Sequence, residues 1–129
     1  MLQCIVVTPE RTVFDRPAEF VALTLYDGEI GVAPEHAPMI GRLGCGEMRV
    51  VNQGQTERYY IEGGFVEVLG DVVSVLTRRA AAASEIDEAV VGEQLSAARA
   101  RPATTPEAIQ IRDRAIAQAR AQLRICRRT

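Results

Sequence analysis

Residues 27–51 read DGEIGVAPEHAPMIGRLGCGEMRVV and hold five of the ten glycines, two of the six prolines and the only histidine, His36. The initial Asp-Gly dipeptide predicts a tight turn, because glycine adopts the positive φ angles that hairpins require. Residues 29–32 predict a short strand, in which Gly31 indicates a bulge or a close backbone approach. The prolines on either side of Glu35 and His36 exclude a helix there. We therefore predict a rigid, exposed loop carried by strands, a type of site that often contacts partners.

Short runs rich in β-branched residues, separated by turn residues, continue on both sides of this segment. The run 19–26 alternates with a period of two and is apolar on both faces, which is typical of a strand covered on two sides. The strands that we predict are 4–8, 12–14, 19–26, 29–32, 46–51, 57–62, 65–69 and 72–76. The glycines interpreted as turns or breaks between strands are Gly41, Gly44, Gly46, Gly63 and Gly64. This spacing predicts an N-terminal antiparallel β-sandwich or flattened barrel over residues 1–83.

The composition then changes, and residues 78–83 predict a linker of Arg and Ala. Ser84 followed by Asp87 three residues later is a variant of the capping box, so a first helix is predicted over 85–100. A Thr-Pro pair begins a second helix. Its large apolar residues recur every seven positions, a pattern suited to packing against a sister helix. These residues are Ile109, Ile116 and Leu123. We predict an antiparallel helical hairpin over residues 84–129.

Composition and charge argue against several classes of protein. The chain has 129 residues, a net charge of −2 and no lysine, so a P-loop lysine is absent and nucleic acid is not expected as a main partner. No apolar run approaches the roughly 18 to 20 residues that span a bilayer, and the N-terminus lacks the pattern of a signal peptide. Three widely separated cysteines argue against a disulfide framework.

Candidates for catalysis or metal binding are few. His36, Cys4 and Cys45 lack the paired ligands or the nucleophile and base arrangement that such sites require, although Glu35 and Glu47 lie near His36 in the sequence. The glycine spacing does not match G-x-G-x-x-G. We predict neither a catalytic residue nor a metal site.

Three blocks of sequence occur in this order: GEIGVAPEHAPM at 28–39, YIEGGFVEV at 60–68 and SEIDEA at 84–89. Together they resemble the epsilon subunit of bacterial F-type (rotary) ATP synthases. The resemblance implies a non-catalytic central-stalk subunit that couples ion-driven rotation of the c-ring and gamma subunit to ATP synthesis. It further implies that the C-terminal hairpin toggles between two states and restrains ATP hydrolysis. The subunit would be peripheral on the cytoplasmic face of the bacterial plasma membrane, without direct membrane insertion.

The same resemblance implies roles for particular residues. Glu29 and His36 match positions that contact the rotor, between the gamma subunit and the ring of c subunits. Basic residues of the second helix would contact the alpha and beta catalytic subunits and inhibit hydrolysis, since arginine makes bidentate bonds to carboxylates. These residues are Arg120, Arg124, Arg127 and Arg128.

A nucleotide motif of the family is damaged in this chain. Ile86 and Asp87 are present, but Val90 and Val91 stand where the motif has Arg and Ala, and a valine side chain cannot donate to a phosphate. On the second helix, the matching positions for arginine hold Gln118 and Gln122. We therefore predict no bound cofactor and weak or absent ATP binding. The alternatives are an ATP-sensing small-molecule-binding module and a stand-alone enzyme on a β-sandwich.

Overall fold

The computed structural model describes residues 1–127, and the chain divides into two compact units, Met1–Ala82 and Ala83–Thr129. The strands of the first unit are β1 (Leu2–Val7), β2 (Thr12–Ala18), β3 (Phe20–Leu25), β4 (Gly28–Val32), β5 (Met39–Asn52), β6 (Gln55–Leu69), β7 (Val72–Leu76) and β8 (Ala80–Ala82). The second unit holds a 3₁₀ turn (Ala83–Glu85) and the helices α1 (Glu88–Ala100) and α2 (Pro106–Arg127). The predicted fold class, a β domain followed by two helices, is confirmed.

The strands form one sheet in the order β2-β1-β7-β6-β5-β3-β4, with β8 paired to β6 beside this path. Neighbours are antiparallel except β1 and β7, which are parallel. Because the two edge strands, β2 and β4, do not pair with each other, the sheet is not closed into a barrel. The inward side chains form a single core cluster, with contributions from distant strands such as Val6, Val21, Val66 and Val75. The sheet therefore folds over itself as a sandwich.

A contact between β2 and β6, which are not neighbours in the sheet, crosses the sandwich. The guanidinium of Arg16 donates to the Glu57 carboxylate at 2.8 Å and to the Tyr59 hydroxyl. The rings of Phe14 and Tyr59 lie 4.9 Å apart. Burial and the hydrogen bond to Glu57 raise the pKa of Tyr59 to about 12, so this hydroxyl stays protonated at neutral pH.

The interpretation of the internal glycines as turns or breaks between strands is wrong. Strands β5 and β6 run for 14 and 15 residues through all of them, and pairing continues on both sides, where Leu43 faces Gly64 and Cys45 faces Glu62. Beyond Gly64, β6 pairs with β7, and before Gly63 it pairs with β8. The glycines lie within two long strands rather than end them, because the partner strand continues the pairing on both sides.

Gly31 lies in regular pairing opposite Ala22, so the predicted bulge is absent. The close approach is made by a side chain, since a Cβ built at Gly31 would lie 2.5 Å from the ring of Phe20. The predicted linker is also partly wrong. Ala80–Ala82 forms β8, which pairs with the N-terminal part of β6. These alanines have no alternating pattern that predicts a strand, but the backbone groups of β6 are available to pair with them.

The helical unit follows the predicted hairpin, with one shift of the cap. Asp87, rather than Ser84, caps α1, and its carboxylate accepts from the backbone of Ala89 and Val90. The predicted second cap is confirmed, since the Thr105 hydroxyl accepts from Ala108 at 3.1 Å. The helices are antiparallel, because the Cys126 thiol near the end of α2 donates to the carbonyl that precedes α1, that of Ile86.

Two of the three residues of the apolar repeat on α2 lie in the small core between α1 and α2. Leu123 is buried and Ile116 half-buried in this core, but Ile109 is 39% exposed. The buried partners on α1 are Val91 and Leu95. So few large side chains give the hairpin a modest hydrophobic stabilisation.

Candidate functional site

The loop between β4 and β5, residues 33–38, is held by hydrogen bonds from two of its backbone N–H groups. The backbone N–H of His36 donates to the Ala33 carbonyl at 3.2 Å, which closes the loop on itself. Glu35 has φ 69°, the left-handed region that non-glycine residues rarely adopt. Its backbone N–H donates to the Asp71 carboxylate at 2.7 Å. The predicted exposed loop with an acid and an imidazole is present, and its support comes from the turn between β6 and β7.

The imidazole of His36 is oriented by its own backbone. Nδ1 lies 2.7 Å from the Ala37 carbonyl oxygen. Because a carbonyl oxygen only accepts, Nδ1 carries the proton, and Nε2 is left as the atom that a partner can meet. The side chain is half-buried, so its rotation is restricted while one edge stays accessible.

Glu29 is an exposed residue on β4, opposite Thr24 of β3. It precedes His36 by seven residues on the same strand and loop. No hydrogen bond or ion pair joins the two side chains in the part of the chain that the structure describes. They are therefore two separate features of one segment, each accessible to a partner.

A row of exposed side chains crosses the sheet beside this loop. The guanidinium of Arg42 lies 4.5 Å from the ring centroid of Tyr26. Arg42 is directly opposite Phe65 in the β5–β6 ladder, and Phe65 is directly opposite Leu76 in the β6–β7 ladder. Directly opposed residues lie on one face of a sheet, so these four side chains form a continuous row.

Other apolar side chains extend this row. Ile40 is two residues from Arg42, and Leu69 is four residues from Phe65, so both lie on the same side of their strands. The apolar residues of this surface, with their exposed fractions, are Tyr26 (70%), Ile40 (75%), Phe65 (57%), Leu69 (57%) and Leu76 (54%). We call these five residues the exposed apolar face.

The alternate residues of β6 and β7, such as Val66 and Val75, are fully buried. Sequence reasoning did not single out the exposed apolar face. These strands are apolar on both sides, and their alternation does not show which side meets the core. Glu67 lies between Phe65 and Leu69 on the same side of β6 and faces Ile40, so this surface includes one charged side chain. An exposed surface with this many apolar side chains marks an interaction site.

The buried carboxylate of Glu47 is engaged away from His36. It accepts from Arg49 at 2.9 Å and from Nε of Arg58 at 2.8 Å. Those two arginines face each other directly across β5 and β6, so the carboxylate offsets their repulsion. Glu47 therefore has a structural ion-pairing role.

Cys4, one of the two cysteines considered as candidates, is not a reactive thiol. Cys4 is buried in the core, and burial raises the pKa of its thiol to about 12, so the thiolate is scarce at neutral pH. Among residues 1–127, no group of three His, Cys, Asp or Glu side chains is close enough to hold a metal ion. No helix in the same described range is long and apolar enough to cross a membrane.

The structure describes the exposure of two of the four basic residues that were predicted to inhibit hydrolysis. Arg120 and Arg124 are exposed and one helical turn apart, so both can meet a single partner surface. Arg127 ends α2, and Arg128 lies outside the described residues. The inhibitory role of all four remains a prediction.

The residual nucleotide motif has a structural use in this chain. Ile86 packs against the small hairpin core. The Asp87 carboxylate accepts a backbone hydrogen bond and thereby caps α1. Val90 is 47% exposed, whereas Val91 is buried in that core. The position that has arginine in the motif therefore faces outward without a donor.

Sequence comparison places this architecture among known proteins. The family described as "ATP synthase, Delta/Epsilon chain, beta-sandwich domain" matches residues 1–83. The ATP synthase epsilon chain of Rhodopirellula baltica is 49% identical over 126 residues, which is 98% of this chain and 98% of that one. The ATP synthase epsilon chain of Bacillus subtilis is 38% identical over 96 residues, 74% of this chain and 70% of that one.

Chains of two solved mitochondrial ATP synthase structures have a similar fold. A chain in the structure of the Euglena gracilis mitochondrial ATP synthase, OSCP/F1/c-ring in rotational state 1, has a TM-score of 0.77 and 26% identity, covering 98% of this chain and 77% of its own. A chain of the Tetrahymena thermophila mitochondrial ATP synthase central stalk/c-ring has a TM-score of 0.72 at 10% identity, with 97% and 96% covered. At 10% identity, the similarity to the Tetrahymena chain shows a shared fold and nothing more.

Proposed function

The chain belongs to the epsilon-chain family of ATP synthase, and we propose that it is a non-catalytic central-stalk subunit that couples rotation of the gamma subunit and c-ring to ATP synthesis. Residues 1–83 would bind the rotor, and residues 84–129 would form a regulatory hairpin that restrains ATP hydrolysis. The subunit would lie on the cytoplasmic face of the bacterial plasma membrane as a peripheral component.

The observation that carries this proposal is the exposed apolar face. A stable interface needs a desolvated apolar centre, with aromatic and Arg side chains as its anchors. Tyr26, Arg42 and Phe65 supply such anchors in one row, since Arg42 and Phe65 face each other on β5 and β6 and Tyr26 lies in the turn that follows β3. We assign this face to the gamma subunit, a large partner that would remain bound throughout rotation.

The loop that carries His36, together with Glu29, is assigned to the c-ring and the adjoining part of the rotor. The Glu29 and His36 side chains are polar and accessible, and the loop is restrained by two hydrogen bonds from its backbone N–H groups and one at the His36 ring. A restrained polar loop can contact a moving ring without the entropic cost of ordering at each encounter. The Euglena chain with a similar fold comes from an assembly of OSCP, F1 and c-ring, which supports this assignment.

The inhibitory contact rests on the C-terminal helix. We propose that Arg120 and Arg124 bind acidic side chains of the alpha and beta catalytic subunits, and that Arg127 and Arg128 contribute to the same inhibitory contact. A switch from mostly one hairpin state to mostly the other requires about 5.5 kcal/mol of differential binding. Several Arg–carboxylate bonds with apolar docking approach this value, and the small core between the helices makes the hairpin easy to rearrange.

The test is reconstitution of an ATP synthase depleted of this subunit. Adding the wild-type chain should restore ATP synthesis driven by an ion gradient. The R120A/R124A variant should restore synthesis equally but raise ATP hydrolysis by about tenfold or more, since two lost charged contacts, each worth about 1 kcal/mol or more, together exceed the roughly 1.4 kcal/mol that corresponds to a factor of ten. Arg114→Ala, an exposed arginine earlier on α2, is the matched control. Hydrolysis unchanged by R120A/R124A would exclude the inhibitory contact.

Titration with Mg-ATP distinguishes this proposal from the ATP-sensing alternative. We expect no heat of binding and no NMR shifts, because Val90 supplies no donor and Asp87 is already occupied by backbone N–H groups. Val90→Arg, which changes an exposed side chain, is the comparison variant that returns a donor to this position. Heat from the wild-type chain, with shifts confined to Ile86, Asp87 and α2, would instead favour an ATP-sensing module.

A further inference from the structure

The β6–β7 turn carries the residue that supports the His36 loop. Gly70 and Asp71 have φ values of 58° and 62°, which is the signature of a two-residue type I′ hairpin. The turn lies between the paired residues Leu69 and Val72. The Asp71 carbonyl also accepts from the backbone N–H of Gln3 at 2.8 Å, which ties the turn to β1. The carboxylate of Asp71 therefore projects from a platform that three strands hold in place.

The loop needs such a platform because of its backbone conformation. Glu35 has a side chain but sits at φ 69°, a conformation that persists only where surrounding contacts impose it. The bond from its N–H to the Asp71 carboxylate, at 2.7 Å, has an ionised acceptor. Charge-assisted bonds of this kind are stronger than neutral ones. The next residue along the chain is His36.

We propose that Asp71 is a positioning residue for rotor recognition: its carboxylate holds Glu35 in the left-handed conformation and thereby sets the direction of the His36 imidazole. Asp71 touches no partner itself in this assignment. The inference rests on the proposed function, because it assumes that the His36 loop contacts the rotor. It adds a contact between residues 36 positions apart in the chain, which no local sequence motif indicates.

Two substitutions separate positioning from stability. Asp71→Gly removes the carboxylate but suits φ 62°, so the turn is retained. Asp71→Asn retains an acceptor oxygen at the same place and also tolerates this backbone region. In the full-length chain we expect the Glu35 amide to exchange at least about tenfold faster in D71G than in wild type, and to stay protected in D71N. The chemical shifts of the His36 ring should move in D71G alone.

The functional readout is affinity for the rotor, measured with the purified gamma subunit and c-ring assembly. D71G should bind about tenfold more weakly, the factor expected for one lost charge-assisted hydrogen bond, and D71N, which keeps a neutral acceptor, should lose at most about threefold. Equal affinity of D71G and wild type, or an unchanged Glu35 amide in D71G, would overturn the positioning role. Failure of the wild-type chain to bind the rotor would overturn the proposed function instead, so the two failures are distinguishable.

Discussion

Replacing Phe65 and Leu76 together with alanine should weaken binding to the gamma subunit by about 100-fold, or about 2.7 kcal/mol. The two side chains face each other across β6 and β7 and are 57% and 54% exposed, so most of their apolar surface is available to a partner. Burial of that surface in the complex would contribute about 25 cal/mol per Å². The fold should tolerate the change, because the core lies on the opposite side of both strands.

Isothermal titration of the purified gamma subunit with each variant measures this effect. Ile111→Ala is the matched control, since Ile111 is equally exposed, at 56%, but lies on α2. The urea midpoint of F65A/L76A should stay close to that of wild type, because an exposed cross-strand pair contributes only about 0.2–1 kcal/mol to stability. Wild-type affinity in the double variant would show that gamma binds elsewhere.

Gly64→Ala should destabilise the β-sandwich by about 4 kcal/mol or more, enough to unfold a domain of ordinary stability. A Cβ at this position would lie 1.9 Å from the Leu76 carbonyl oxygen, at the end of β7, and 2.8 Å from the Cα of Thr77, the next residue, and both are backbone atoms. The backbone also has φ +102°, which alanine rarely adopts. Neither the strand nor its neighbour can move without loss of ladder hydrogen bonds.

Tyrosine fluorescence during urea denaturation isolates this effect, because all three tyrosines lie in the first unit and the chain has no tryptophan. Gly70→Ala is the control. It also has a positive φ, +58°, but a Cβ there meets no atom within 4 Å, so it should cost only about 1–2 kcal/mol. A similar loss of stability in both variants would contradict the steric explanation.

Several features of the fold could be predicted because their causes are local. The Thr105 cap acts on a backbone group three residues away, and the Asp-Gly turn before β4 depends on adjacent residues. The loop around His36 is bounded by two prolines, whose effects reach only one residue further. The motif-based resemblance was also sufficient to identify the family, since it depends on residue types and spacing.

Other features depended on distant partners. Whether Gly63 and Gly64 end a strand or lie within it is decided by β5, which continues its pairing alongside them. Three alanines without strand propensity became β8 because β6 presents an edge to them. The cap of α1 is Asp87 rather than Ser84 because a 3₁₀ turn precedes the helix. Sequence alone does not distinguish two candidate caps that are so close together.

Local sequence patterns were enough to predict the fold class, the order of the two units, the family and the loop that carries Glu35 and His36. Tertiary structure decided which side of β6 and β7 is exposed, and therefore where Phe65 and Leu76 can meet a partner. It also decided that Asp71 supports Glu35. The physical reason is range: turns, caps and proline restrictions act within a few residues, whereas burial and hydrogen bonds between strands depend on residues that only folding brings together.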